Sequence, residues 1–152
     1  MPLVGMNAPR DAFAAAGLGQ RERNAVSSGV KVVAPGDVPV HLGGQSVRYR
    51  FMVDDRTGSK NAAVLYNEVH GPYEGPFHAR TGEEMLFMVS GESVCEVEGG
   101  ERHVMPERSI LFVPPGVRHR HIFSSGVAQT VAILAPPDKG LDEMRRLPVE
   151  HK

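Results

Sequence analysis

The sequence predicts an all-β domain of sandwich or barrel type. Three observations carry that expectation. From about Lys31 onward, short runs rich in Val, Phe, Ile and Tyr follow one another, and turns containing Gly, Pro and Asp separate them at regular spacing. Within the clearest run the residues alternate, with Val47, Tyr49, Phe51 and Val53 on one face and Arg48 and Arg50 on the other. The whole chain is 152 residues, one domain's worth and long enough to bury a real core.

Taken in order, residues 1–30 read as an N-terminal arm. Pro9 to Ala16 predicts a short helix with proline near its first position and Gly17 as its stop, and Gln20 to Gly29 is polar without a period. Such an arm either covers a sheet face or reaches a partner subunit. Residues 31–136 make the barrel. Its strands are expected at Val47–Val53, ended by the turn Asp54-Asp55-Arg56-Thr57-Gly58, then at Ala62–His70, Glu83–Ser90 and Ser93–Glu98. Arg102–Met105, Ser109–Val113, Arg118–Phe123 and Val127–Ala135 complete the set. Residues 137–152 form a tail in which Leu141–Leu147 predicts a brief charged helix, ended by Pro148.

Composition narrows the function. A formal charge of -1 and scattered arginines provide no field for nucleic acid or anionic lipid, so no nucleic-acid or membrane partner is expected. Cys95 is the single cysteine, which excludes an internal disulfide and a Cys-rich zinc module, and its valine neighbours place it as an inert thiol in or near a strand. No apolar run approaches bilayer length and no basic, apolar leader opens the chain, so the sequence reads as cytoplasmic.

The chemistry concentrates in His78, Arg80, Glu84 and Gly91, and then in Pro114, Gly116 and His119. Residues two apart on a strand share a face, so His78 and Arg80 project together, and Glu84 shares parity with Leu86 and Met88. The Pro114-Pro115-Gly116 turn launches a strand on which His119 and His121 share an inward face. Imidazole and carboxylate groups meeting inside a barrel suit iron, manganese, nickel, zinc or copper.

The stretch from Pro76 to Glu92 resembles the first cupin motif: two histidines one residue apart, a glutamate four residues after the second, and a glycine seven further on. Pro114 to His119 resembles the second motif, a Pro-x-Gly turn followed by a histidine. The resemblance covers roughly residues 35–135. It implies a cupin jelly-roll β-barrel with a short N-terminal arm and a short C-terminal helix, and one divalent metal held by His78, Glu84 and His119. Arg80 departs from the pattern. It stands where the family has its second histidine, and a guanidinium has no free lone pair with which to ligate.

Three accounts of Arg80 stay open. In one, the metal keeps three protein ligands and Arg80 grips an anionic group of the substrate with its planar fork. In another, His121 fills the vacancy. In the third, the metal site has decayed and Arg80 pairs with Glu84. Correspondingly, two functions are carried forward. One is a mononuclear metal enzyme acting on a small anionic, carboxylate-bearing metabolite, with Arg80 and His121 as catalytic groups and Tyr66 as a second candidate proton shuttle. Fe2+ is preferred over Mn2+, Ni2+, Zn2+ or Cu2+, and dioxygenase chemistry over isomerase, decarboxylase or lyase chemistry. The other is a binding module for a small anion or sugar. A homodimer is expected in either case. Glu83 reads as solvated and His103 as exposed. His70 shares parity with Val64, Tyr66 and Glu68 and reads as a strand-end histidine that can line the pocket. His41 and His151 carry no signal. Tyr66, Phe51, Met88, Ile110, Phe112 and Phe123 read as core.

Overall fold

The computed structural model describes residues 28–151, so the predicted helix at Pro9–Ala16 and all but the last residues of the arm lie outside the described residues. The chain divides between Val32 and Val33, and the elements named below all belong to the second unit. A 3-10 turn at Pro35–Asp37 leads into eight strands: β1 (His41–Gly43), β2 (Val47–Val53), β3 (Ala63–Glu74), β4 (Glu83–Ser90), β5 (Ser93–Val97), β6 (Arg102–Met105), β7 (Ile110–Val113) and β8 (His119–Ala135). A short helix, α1 (Gly140–Arg145), comes after them. All pairings are antiparallel, in the order β1-β2-β3-β8-β4-β7, with β5 and β6 extending from β8. This is the jelly-roll barrel expected from the sequence.

The strand boundaries hold with two corrections. Arg118–Phe123 and Val127–Ala135 are one continuous strand, because β3 runs to Glu74 and pairs with β8 along its whole length, from Ala63↔Leu134 to Glu74↔Ile122. Gly126 has positive φ but sits opposite Gly71, so the ladder passes through it. The second correction is β1, too short to show a period, which pairs with β2 and closes that edge. β8 is thus shared between the two halves of the barrel. Its early residues meet β5, and its later residues meet β4.

Alternation puts Ala63, Leu65, Asn67 and Val69 of β3, and Glu84, Leu86 and Met88 of β4, on the inside. With Val47, Phe51, Phe123, Ala132 and Leu134 they make the apolar lining, to which Cys95 and Met105 add from β5 and β6. Ile110 and Phe112 are not core as expected. They are 68% and 56% exposed, because β7 is the edge strand and turns Leu111 and Val113 inward. Leu141 anchors α1 in the core, and Arg145 binds Asp54 and Asp55 in the turn after β2. Among the described residues no helix is long and apolar enough to cross a membrane.

Candidate metal centre

The two motifs meet through their backbones before any side chain is considered. His78 and His119 exchange both N–H···O=C bonds, each 2.9 Å, as an isolated antiparallel bridge. One turn away, the Gly116 N–H donates to the Arg80 carbonyl at 2.8 Å. Gly116 has φ of 79°, the left-handed conformation that lets the Pro114–Gly116 turn deliver His119 onto β8. Gly82 serves the other motif: a Cβ there would lie 2.7 Å from Pro136, so only glycine lets the turn before Glu84 pass under the end of β8.

Four side chains converge as a result. The ligating atoms of His78, Glu84, His119 and His121 all lie within 4.8 Å of one another. Glu84 sits at the centre, with Oε2 2.9 Å from His119 Nε2 and 3.8 Å from His78 Nε2, and with Oε1 3.3 Å from His121 Nε2. The Nδ1–H of His119 donates to the Val117 carbonyl at 2.9 Å, and that of His78 to the Pro76 carbonyl at 3.1 Å. Those bonds fix the tautomer, so each Nε2 carries its lone pair into the cluster, as metal-ligating histidines require.

The protein alone does not satisfy this cluster. His119 is fully buried and Glu84 only 4% exposed, yet Glu84 Oε2 and His119 Nε2 approach each other off the line of a hydrogen bond and have no other partner. Buried acceptors aimed at a common point are costly unless a cation or donor occupies that point. The residues therefore fit a divalent transition metal in type and spacing, and His78 and His119 in tautomer as well. Burial opposes the charge on Glu84, but the His119, His121 and His78 imidazoles packed against its two oxygens prevail and hold its carboxyl well below the usual range. Burial also opposes protonation of His119, but contact with Glu84 and the Val117 carbonyl raise it overall. Burial lowers His121.

Beside the cluster lies a cavity of about 410 Å³, lined by the inner faces of β2, β3, β4 and β8 and by Gly140, Glu143 and Met144 of α1. Arg80 enters it near α1. Among the described residues no carboxylate comes within ion-pair distance of Arg80, so the Arg80–Glu84 pair considered from the sequence is not formed, and the buried Nε has no hydrogen-bond partner. The anion beside it is Asp138, which accepts from the Thr81 N–H at 2.7 Å, the Thr81 hydroxyl at 3.2 Å and the Gly140 N–H at 2.6 Å. Burial raises the Asp138 pKa, but those donors and the Arg80 charge outweigh it and keep it ionised.

Other expected residues fall elsewhere. Glu83 is exposed, as expected from its parity, and so is His103, which contacts Glu101. His70 and Tyr66 point away from the cavity. His70 holds Glu68 at 2.6 Å and Tyr66 lies under Arg50, so Tyr66 is not a proton shuttle there. The phenols in the cavity are Tyr49 and Tyr73. Burial raises both, with Tyr49 pushed up to about 12, so both remain protonated donors. Asn67 and Thr130 also line it, and neither stands out in the sequence because a lone polar residue in a strand reads as solvent-facing.

Residues 67–134 match the model of the cupin domain family. No curated protein matches the chain by sequence. Among solved structures, the polyketide cyclase RemF from Streptomyces resistomycificus superposes with TM-score 0.63 at 17% identity, over 80% of this chain and 84% of that one. An RmlC-like cupin from Shewanella frigidimarina gives 0.63 at 16% identity, over 74% and 96%. The Fe(II) form of HppE gives 0.61 at 21% identity, over 72% of this chain and 62% of that one. These likenesses establish the shared fold.

Proposed function

The chain being a small cupin-domain protein, we propose that it is a mononuclear metal-dependent enzyme acting on a small anionic metabolite. The observation that carries this reading is the buried cluster of three imidazoles and one carboxylate, with unpaired acceptors, opening onto a cavity that also holds an unpaired guanidinium. His78, Glu84, His119 and His121 would hold the ion. His121, read from the sequence as a catalytic group, is thereby assigned the ligand position that Arg80 vacates. A bound ion supplies Lewis-acid chemistry and, when it is iron, redox chemistry toward dioxygen. Fe(II) is our first choice, in keeping with the Fe(II) form of the similarly folded HppE.

The remaining steps belong to the protein's own side chains. The Pro76 and Val117 carbonyls hold His78 and His119 in the ligating tautomer. Arg80 donates to a carboxylate or similar anion of the substrate and places its reactive end toward Glu84. A permanently charged fork matches that partner and cannot itself lose a proton. The protonated hydroxyls of Tyr49 and Tyr73 add neutral donors in the same cavity. The apolar walls from Leu65, Leu86, Ala132 and Leu134 keep water away, which strengthens each of these contacts.

The test uses Fe(II)-loaded protein and a panel of small carboxylates, followed by dioxygen uptake and product analysis. Arg80→Ala should raise the substrate's KM roughly 10- to 100-fold, the range of one charge-assisted hydrogen bond, with metal content unchanged. Unchanged KM in that variant, or loss of metal with it, contradicts the assignment. Metal retention with no turnover of any substrate would leave a binding module.

A further inference from the structure

The cavity is polar at a second place, where the side chains of Asn67 and Thr130 have no part in the proposed reaction. Following the ladder away from Glu84, the rung Glu84↔Leu134 is succeeded on the inner face by Leu86↔Ala132 and then by Met88↔Thr130, with Asn67 opposite Thr130 and Tyr49 opposite Asn67. Four residues of strand put the Thr130 rung roughly 13 Å along β4 from Glu84. Leu65, Leu86 and Ala132 lie between the two polar places, and Gly140, Glu143 and Met144 of α1 also line the cavity.

Asn67 is 8% exposed and lines the cavity. Its amide nitrogen donates to Thr130 Oγ1 at 3.3 Å, which secures one end of the carboxamide and orients the other. The amide oxygen is buried and has no hydrogen-bond partner. A buried carboxamide with one end tied and the other idle costs stability unless something in the cavity completes it. The two strands do not depend on these side chains for their pairing, since the backbones of Asn67 and Thr130 already pair in the ladder.

We infer that Asn67, positioned by Thr130, is a specificity-determining residue that accepts a hydrogen bond from a hydroxyl or amine at the end of the substrate remote from the metal. This rests on the proposed function. It adds that the substrate is elongated, with its anion at Arg80, an apolar middle against Leu65, Leu86 and Ala132, and a hydrogen-bond donor at the far end. Plain fatty carboxylates lack that donor and leave the Asn67 oxygen buried and idle.

The probes are hexanoate, octanoate and decanoate, each compared with its terminal hydroxy counterpart. Binding to the metal-loaded protein is measured by calorimetric titration. At the length that spans the cavity, the hydroxy acid should bind roughly three- to tenfold more tightly than the plain acid, the worth of one neutral hydrogen bond. Asn67→Leu should abolish that ratio while leaving metal content and plain-acid binding intact. Should Asn67→Leu fail to fold, Thr130→Val, which keeps shape and frees the carboxamide, should reduce the ratio toward one. No preference at any length, or a preference that survives these variants, overturns the inference while plain-acid binding still upholds the anionic-substrate reading. No binding by any probe in metal-loaded protein counts against both.

Discussion

Leu141→Ala tests whether the helix that walls the cavity is part of the folded unit. α1 has six residues, too few to be helical on its own account. It is held by Leu141, which is 1% exposed, and by Arg145 bonding Asp54 and Asp55 at 3.1 and 3.0 Å. Backbone bonds beyond it, Leu42 N–H to the Pro148 carbonyl at 2.7 Å and Glu150 N–H to the Val40 carbonyl at 2.9 Å, tie the tail to β1 and the residue before it. Removing a fully buried leucine side chain costs about 2–5 kcal/mol through lost transfer energy and the cavity left behind. Because the tail is anchored on both sides of Leu141 it cannot swing in to fill the gap, so we place the loss near 3 kcal/mol, or roughly 10 °C in Tm for a domain of this size. Urea unfolding measures it directly. Metal affinity should be unchanged, because His78, Glu84, His119 and His121 stand on the β3–β4 connection, β4 and β8. A loss below about 1 kcal/mol would show that α1 is not packed as described. A parallel loss of metal would show that the cluster depends on α1 and is not held by the barrel alone.

Two further outcomes follow from the buried groups. Glu84 is held below its unfolded value of 4.5, so its contribution to stability is present above that pH and lost as pH falls below it. Metal-free protein should therefore lose stability on acidification below about pH 4.5 by more than its Glu84→Gln variant does, as urea midpoints at successive pH values will register; equal slopes would refute the central position of that carboxylate. Burial, with the charges of Glu84 and Glu101, pushes the Cys95 thiol up to about 11, and its side chain lies in the core. It should resist iodoacetamide at pH 8 in the folded protein and react only on unfolding, whereas rapid native alkylation would place it at the surface.

The candidate ligand set is legible in the sequence because the two motifs keep their spacing. His78 and Glu84 flank a turn, and a Pro-Pro-Gly turn precedes His119, so the resemblance to the two cupin motifs names three candidate ligands, and the inward parity of His121 is noted beside them. The features that stay hidden do so for reasons of barrel physics. In β3, Val64 and Tyr66 are as apolar as Leu65 and Val69, since the outer face is itself half-buried, so alternation alone misassigns which parity faces the cavity. Asn67, the one polar residue on the inner face of β3, strengthens the wrong choice. Ser124-Ser125-Gly126 signals a turn and so divides β8 in the sequence. The long partner β3, invisible locally, carries the strand through. Ile110 and Phe112 read as core because nothing local reveals that β7 lies at an edge.

The most direct test of the account is metal analysis by mass spectrometry of protein purified without a histidine tag, alongside a His119→Ala variant. We predict close to one transition-metal ion per chain in the wild type, iron foremost, and its loss in the variant. A wild-type protein that stays metal-free after incubation with Fe(II), Mn(II), Ni(II) and Zn(II), or a variant that binds as well as the wild type, would contradict the claim that these four side chains hold an ion.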